Sequence, residues 1–473
     1  MKKNQKSNIV INAQDDVQVN VALNNGKIEA QQINSRDKEK VKRSHYFSNR
    51  KNLCRFLIII GSVAITSLLC LKFYDKYLED DTNSYNRALI QKAYALEIEG
   101  KYLEAVAIYN ELYGRMLDTN DYRLEYLEFL EARDYFYQFM FGEGAENKYR
   151  YKAIEIFEKI VKTKYEENED IKLMSMACLI LICNDLNDEN IEKEMADYCK
   201  VLEEAMIKYN ISSTEDYNIC NLRLISYFAM GEFYGTRVER RFFEKDISQY
   251  LTIVFYYQEA LKNCRAMMKY DQFRFSGKRF EIVLLKRLAT YDSCAYLITK
   301  DNQYLLNAEI CFDEIRGKVD VDEDLPMYID CMITVAEGKI LIGNEESLEE
   351  GYKILNSLAY HICKDEDQSC EIAQWMILSG LATEADIKYA KEHYSCKIEK
   401  LEKENNIQEY VNMVYQTASS YWYLTYYYQD REAYDEGYSY LLDLQNGYLD
   451  LVECSVKNDI LMLIKDYESY LEY

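Results

Sequence analysis

The chain has 473 residues, of which 49% are hydrophobic and 29% are charged. These values are ordinary for globular proteins and exclude wholesale disorder or a collagen-like composition, and the length allows two to four domains or one long repeat array. With one proline and 16 glycines, the chain has few residues for the turns of β-rich or α/β folds. We therefore expect an all-α protein.

Charge is divided unevenly along the chain. Residues 1–55 contain 12 lysines and arginines against 5 acidic residues, whereas the rest is strongly acidic and brings the net charge to -24. An acidic surface repels phosphate backbones, so we expect no nucleic-acid partner for the larger part. The basic tail, residues 1–52, instead suits an anionic membrane surface.

Residues 8–34 follow the period of a β-strand. Apolar residues alternate with polar or small ones from Val17 to Leu23, and Asn25-Gly26 can form a two-residue hairpin turn. A lone hairpin is only marginally stable in water. Two alternatives therefore stay open: a disordered tail or small hairpin that docks on a cytoplasmic protein, or a segment that self-assembles.

The composition of the same segment supports the second alternative. Twelve of the first 34 residues are asparagine or glutamine, and such side chains form ladders in cross-β stacks. The segment is similar to the short Asn/Gln-containing amyloid-signalling motifs at the ends of bacterial immune proteins. That resemblance implies self-assembly through residues 8–34.

Residues 56–71 form an apolar run of 16 residues without a charge. With its flanking residues, this run predicts a single-pass transmembrane helix at residues 53–74. The run rises about 24 Å, and snorkelling of the flanking bases extends it toward a hydrocarbon core of about 30 Å. A buried core helix is the alternative, but the basic flank and the aromatic exit favour a membrane anchor. The anchor residues are Arg55, Phe56, Leu57, Ile58, Ile59, Ile60, Leu68, Leu69, Leu71 and Lys72.

The charge on the two sides of this run predicts its orientation. Lysines and arginines are concentrated before residue 56, so the positive-inside rule places the N-terminus in the cytoplasm and residues 80–473 outside. The 14 cysteines point the other way, because they are scattered without the spacing of a disulfide framework, as in a reducing compartment. The two indications agree if the organism is anaerobic; otherwise they conflict, and the cysteines would place residues 80–473 in the cytoplasm. We follow the charge rule.

Residues 80–473 alternate helix-length amphipathic segments with short polar turns, which predicts an array of helical hairpins. The clearest unit, residues 89–117, resembles a tetratricopeptide repeat, although Leu89 stands where tryptophan is usual and Leu117 where proline is usual. The family's spacing is matched by Ala93, Leu96, Gly100, Tyr102, Ala105 and Tyr109. The resemblance implies a stack of hairpins, a solenoid, whose concave face binds protein segments.

A small residue followed four positions later by a large one recurs along the rest of the chain. The intervals exceed the 34 residues of a tetratricopeptide repeat, so we expect a degenerate array with longer helices or loops; an irregular helical domain is the alternative. The further pairs are Ala153/Phe157, Ala205/Tyr209, Ala260/Cys264, Ala308/Phe312, Gly351/Leu355, Ala390/Tyr394 and Gly437/Leu441.

Tyrosine is unusually frequent, with 46 residues. Its bulk can fill wide seams between helices, or it can line a groove that binds a peptide. Six aromatic residues lie among the eight positions 421–428, and since one face of a helix cannot hold them all, we expect some to be exposed. The candidate partner-binding residues are Tyr421, Trp422, Tyr423 and Tyr427.

The sequence contains no catalytic signature, so we expect no enzyme activity, cofactor or metal. Asp320 and Asp324 begin like a calcium loop, which Pro326 interrupts. The side chains of one further set are of the types that bind zinc, but their spacing is not that of a zinc finger. They are His361, Cys363, Cys370, His393 and Cys396.

Two functions follow from these patterns. The first is a membrane-anchored helical-repeat scaffold or sensor that binds protein partners without catalysis. The second is a bacterial immune or conflict-system protein in which residues 8–34 self-assemble and the membrane helix acts as the effector.

Overall fold

The computed structural model describes residues 22–24, 27–29, 84–116, 123–141, 147–163, 169–184, 186, 189–211, 217–240, 247–404, 407–449 and 454–470. The chain divides into two units, Met1–Lys51 and Asn52–Tyr473. In the second unit the described residues form seventeen α-helices and no strand. The all-α prediction is therefore confirmed for this part of the chain.

The helices are α1 (Ser84–Ile98), α2 (Tyr102–Met116), α3 (Arg123–Phe141), α4 (Asn147–Lys162), α5 (Glu169–Cys183), α6 (Glu189–Ile211), α7 (Tyr217–Arg240), α8 (Ile247–Met267), α9 (Asp271–Thr299), α10 (Asn302–Arg316), α11 (Leu325–Ile342), α12 (Glu345–Ser357), α13 (Glu366–Leu378), α14 (Glu384–Glu404), α15 (Ile407–Tyr428), α16 (Arg431–Gly447) and α17 (Cys454–Tyr470). A single π turn, Leu358–Ile362, continues α12.

Two short strands are described in the first unit. Strand β1 (Ala22–Asn24) pairs antiparallel with β2 (Lys27–Glu29), so that Leu23 lies opposite Ile28. The rest of residues 8–34 lies outside the described residues. Whether the segment is a hairpin, a tail or an assembling element therefore stays a prediction.

No helix in the described part of the chain combines the length and the apolar character needed to cross a bilayer. The predicted anchor, residues 53–74, and the basic residues before it lie outside the described residues.

Helices of the second unit pack mainly against their neighbours in the sequence. Consecutive helices form the pairs α1/α2 to α15/α16, and α17 packs on the last pair. Contacts between helices two apart, such as α5 with α7 and α9 with α11, join one pair to the next. Such short-range packing is typical of helical repeat arrays.

The recurring small and large residues lie where these pairs close. Each predicted pair is on an even-numbered helix, from Ala105 and Tyr109 on α2 to Gly437 and Leu441 on α16. Every small residue of the eight pairs is buried, and among the large ones only Tyr209 is partly exposed. The small residue lets the second helix of the hairpin approach closely, and the large one fills the space beside it.

Odd-numbered and even-numbered helices differ in burial. The odd-numbered helices from α3 to α15 are enclosed on all sides over stretches of their length, such as residues 280–295 of α9 and 333–342 of α11. The even-numbered helices bury one stripe and expose the other face; α4, for example, buries Ala153, Phe157 and Ile160. Any surface that a partner meets along the array therefore belongs mostly to the even-numbered helices.

Polar side chains fix the ends of many helices. Asp301, Asp324 and Asn344 each accept a hydrogen bond from a backbone N–H in the first turn of α10, α11 and α12, which satisfies a donor that the helix leaves free. The single proline, Pro326, lies in the first turn of α11, where its missing N–H costs nothing.

Candidate functional site

The predicted repeat unit forms a hairpin of α1 and α2. Ala93 and Ala105 are fully buried between its helices, Leu96 is half-buried, and Gly100 has a φ of +75° in the turn. Tyr109 is also buried, and its hydroxyl donates a hydrogen bond to the Glu97 carboxylate. The five predicted packing residues thus lie in the hairpin or its turn.

Glu97 belongs to a buried charge cluster that the sequence did not predict. Nη2 of Arg133 in α3 lies 2.5 Å from Oε1 of Glu97 and 2.9 Å from Oδ1 of Asp134. One guanidinium thus faces two buried carboxyl groups. Burial, followed by the neighbouring Glu97, raises the pKa of Asp134 well above its ordinary value. Burial therefore favours the neutral, protonated form of Asp134.

A second buried cluster joins α7, α8 and α9. Arg287 donates from Nε and Nη2 to the two carboxylate oxygens of Glu232, each at 2.7 Å. The Tyr257 hydroxyl donates to Oε1 of the same carboxylate at 2.8 Å. The two charges are paired and hydrogen-bonded, as buried charges must be. This geometry fixes the relative positions of three helices and leaves no reactive group exposed.

The predicted partner-binding aromatic residues lie inside the array. Tyr421, Trp422 and Tyr423 are buried, and Tyr427 is half-buried and stacks on Tyr423 at 5.9 Å between ring centroids. All residues of α15 from 417 to 425 are buried. Within residues 421–428, where some exposure is expected, 421–425 are buried and 426–428 are half-buried. Exposure is therefore limited to the end of α15, and partner binding there stays a prediction. The burial favours the packing interpretation.

Large apolar side chains are exposed on several helices, including the even-numbered helices α2 to α10. Those on odd-numbered helices are Tyr85, Leu325, Ile407, Met462 and Tyr470. Phe255 of α8 is 50% exposed and Leu306 of α10 is 54% exposed. The exposed large apolar residues of α6, α8 and α10, which we name the outer apolar face, are Val201, Ile207, Leu251, Phe255, Leu306 and Ile310. Leu103 of α2 and Tyr151 of α4 are exposed as well.

Side-chain bridges connect the three helices of the outer apolar face. Tyr256 of α8 donates a hydrogen bond to Glu203 of α6, and Arg265 of α8 forms an ion pair with Glu314 of α10. Phe255 lies beside the first of these bridges, with its ring centroid 5.6 Å from that of Tyr256. The exposed ring is therefore held by its neighbours, as in the rigid aromatic anchors of protein interfaces.

The residues considered for metal binding have other roles. Asp324 caps α11, Asp320 accepts a hydrogen bond from the backbone N–H of Asp322, and Cys370 is buried in α13. In the described part of the chain, no group of three or more histidine, cysteine or acidic side chains is placed to hold a metal ion.

Comparison with known proteins assigns no family. No family model and no curated protein matches the chain. One solved structure that it matches is described as a "Circular tandem repeat protein with novel repeat topology and enhanced subunit contact surfaces"; the identity is 14%, 91% of each chain is covered and the TM-score is 0.21. A similarity this low has no bearing on fold or function, and membership of the tetratricopeptide family stays a prediction.

Proposed function

We propose that this protein is a membrane-anchored helical-repeat scaffold or sensor that binds a protein partner through the outer apolar face. The proposal includes no catalytic step, cofactor or metal. The observation that carries it is the recurrence of exposed large apolar residues on α6, α8 and α10, three helices that side-chain bridges connect. Soluble surfaces expose such residues singly, whereas contiguous groups of them mark interaction sites, and we infer that these residues form one such group.

The position of these residues in the hairpins supports the proposal. Ile207, Leu306 and Ile310 each lie two positions from the buried small residue of their helix. Two positions along a helix correspond to about 200° of rotation, so the buried alanine and the exposed residue occupy opposite sides. The exposed side chains are therefore not needed to close the hairpins, and a partner is a reason for their presence.

The chemistry of the surface defines the class of partner. An apolar face on an acidic array suits a protein segment with apolar anchors rather than a nucleic acid. The basic tail and residues 53–74 are proposed to hold the array at a membrane, with the N-terminus in the cytoplasm.

Site-specific photocrosslinking tests the binding face. We expect a photoreactive amino acid at Phe255 or Leu306 to crosslink a defined partner in cells, and the same probe at Lys262, exposed on α8, to do so much less. Purified partner should then bind the unmodified protein and lose at least about tenfold in affinity on Phe255→Ser, since an aromatic anchor contributes about 2 kcal/mol or more. Equal crosslinking from all three positions, or an unchanged affinity, would contradict the proposal.

The placement in the membrane is tested separately. The full chain should float with vesicles that contain anionic lipid, whereas residues 80–473 alone should stay in solution. Cys396, exposed on α14, reports the side: a membrane-impermeant maleimide should label it in intact cells if the array is outside. Labelling of Cys396 only after lysis would place the array in the cytoplasm, as the 11 free cysteines of the described residues favour.

A further inference from the structure

Helix α9 contains an acidic residue that is buried without a base beside it. Asp292 is 1% exposed, and its Oδ1 atom has no hydrogen-bond partner. The side chain of Asn307, on α10, hydrogen-bonds to the carboxyl group. Among the described residues no lysine, arginine or histidine forms an ion pair with Asp292. This carboxyl group therefore differs from Glu97 and Glu232, each of which is paired with an arginine.

The bases of the helices packed around Asp292 form their ion pairs with other acidic residues. From α10, the titratable groups that face it are Tyr304 and Cys311. Tyr257 of α8 stacks on the preceding Tyr291. From α11, Gly338 lies close to Ser293, and the flanking Glu337 and Lys339 are buried. The Lys339 ammonium pairs with Glu309 of α10 and Glu350 of α12.

A buried carboxyl group with one amide neighbour favours its neutral form. Burial raises the pKa of Asp292 to about 7, and the hydrogen bond with Asn307 acts in the opposite direction. The ordinary value is about 4, so the folded protein holds a proton between these pH values that the unfolded chain releases. Stability of this contact is highest below about pH 4 and falls as the pH rises through the folded value.

We propose that Asp292 is a proton-responsive switch in the contact between α9 and α10. With the carboxyl group neutral, α10 packs closely on α9; with the group ionised, an unpaired charge lies in the contact and α10 loosens. Oδ1 of Asn307 also accepts a hydrogen bond from Nε2 of the exposed Gln303 at 2.9 Å, so polar groups lead from Asp292 to the surface and give protons a route.

The position of α10 gives the switch a consequence. This helix carries Leu306 and Ile310 of the outer apolar face, so loosening it disturbs that face. The link to partner binding rests on the proposed function. The response of α10 itself does not, and the experiment measures α10.

Hydrogen exchange at several pH values tests the switch on the full chain in detergent. After correction for the intrinsic exchange rate, protection of α10 amides should fall by up to about tenfold for each pH unit between about pH 4 and 7, and should level off above about pH 7. In Asp292→Asn, which keeps a neutral polar group of the same size, protection of α10 should not change with pH. Peptides of α14 serve as the internal reference. An α10 response that is equal in both proteins overturns the proposal.

A second variant keeps the test valid if Asp292→Asn does not fold. Asn307→Ala removes the hydrogen bond that favours the ionised carboxylate, so the midpoint of the α10 response should move to higher pH. Asp313→Asn, which changes an exposed acid on the same helix, should leave the midpoint unchanged. A midpoint that Asn307→Ala does not move, or that Asp313→Asn moves equally, would overturn the assignment to Asp292.

Discussion

Arg287 of α9 contacts both carboxylate oxygens of Glu232 in α7 at 2.7 Å, and both side chains are buried. The two residues are 55 positions apart and lie in different hairpins. The guanidinium donates two hydrogen bonds to the two carboxylate oxygens, a geometry that tolerates little displacement. Tyr257 of the intervening α8 donates a hydrogen bond to the same carboxylate. The pair therefore fixes the register of three successive helices.

Removing one partner of this pair should be far more costly than removing both. We expect Arg287→Met to lower the free energy of unfolding by about 3–5 kcal/mol, because Glu232 remains as a buried unpaired charge. The double variant with Glu232→Leu should recover a large part of that loss. Urea unfolding followed by far-UV circular dichroism measures both effects.

A surface pair provides the control for this measurement. Lys200 and Asp197 are 2.8 Å apart with both side chains more than half exposed, so Lys200→Ala should change stability by less than about 1 kcal/mol. If Arg287→Met has an effect as small as Lys200→Ala, the buried pair does not hold the helices in register.

Gly338 of α11 provides space for an aromatic ring of the neighbouring helix. A Cβ atom at this position would lie 2.4 Å from Cζ of Phe312 in α10, which is far inside contact distance. Gly338→Ala should therefore destabilise the protein by about 1–3 kcal/mol through overpacking. Thermal unfolding measures the change.

Gly114 is the matched control within the same fold. It lies in α2 and is exposed, and a Cβ atom added there would have no neighbouring atom within 4 Å. Gly114→Ala should stabilise the protein by about 0.5–1 kcal/mol, because alanine loses less conformational freedom in a helix. If both substitutions stabilise the protein, or both destabilise it, the space around Gly338 does not determine the effect of Gly338→Ala on stability.

The part of the fold that local patterns determine was predictable from the sequence. Closure of a hairpin needs a small residue near a large one on the same helix face. Because the two residues are four positions apart, the pair can be recognised in the sequence. The pairs at Ala308/Phe312 and Gly437/Leu441 are accordingly buried where the prediction placed them.

Features that depend on distant residues were not predictable. Arg133 looks like any helical arginine in the sequence, and its burial depends on Glu97, 36 positions earlier. Helix periodicity assumes one solvent-facing side and so predicts exposed residues around Tyr421, whereas packing encloses α15 on all sides over residues 417–425. The outer apolar face was likewise invisible, since an exposed Phe255 and a buried Tyr257 belong to one tyrosine-rich segment.

Asp386 predicts a loss of stability in acid. Its carboxylate accepts hydrogen bonds from the hydroxyl groups of Tyr352 at 2.6 Å and Tyr360 at 2.8 Å, and from the backbone N–H of Thr383 at 2.7 Å. Burial opposes the charged form, but these hydrogen bonds together hold the pKa of Asp386 below its ordinary value. The stabilisation is therefore present above about pH 4 and is lost as the pH falls through the lowered value.

Asp386→Ala should remove this contribution at neutral pH. Two tyrosine hydroxyl groups and the backbone N–H of Thr383, just before α14, lose their acceptor, and we expect a cost of about 1–3 kcal/mol. The difference between the unmodified protein and the variant should shrink as the pH is lowered toward about 3, as urea unfolding at each pH would show. A difference that stays constant across this range would mean that the carboxylate charge is not involved.

Thiol reactivity should separate Cys396 from the buried cysteines. Cys396 is exposed, whereas nine of the described cysteines are buried, and burial raises the pKa of Cys178 and Cys331 to about 12. Because the thiolate is the reactive form, these groups should resist a maleimide at about pH 8 until the protein unfolds. Mass spectrometry of tryptic peptides after brief labelling identifies the modified positions.

The measurement is clearest in a variant that lacks the other three cysteines of the chain, Cys54, Cys70 and Cys454. In that variant we expect rapid labelling of Cys396, slow labelling of the half-buried Cys363 and none of the buried cysteines. Replacing Cys396 with serine should remove the fast phase and leave the slow one unchanged. Fast labelling of Cys178 in the folded protein would mean that α5 opens to solvent, in conflict with its packing against α3, α4, α6 and α7.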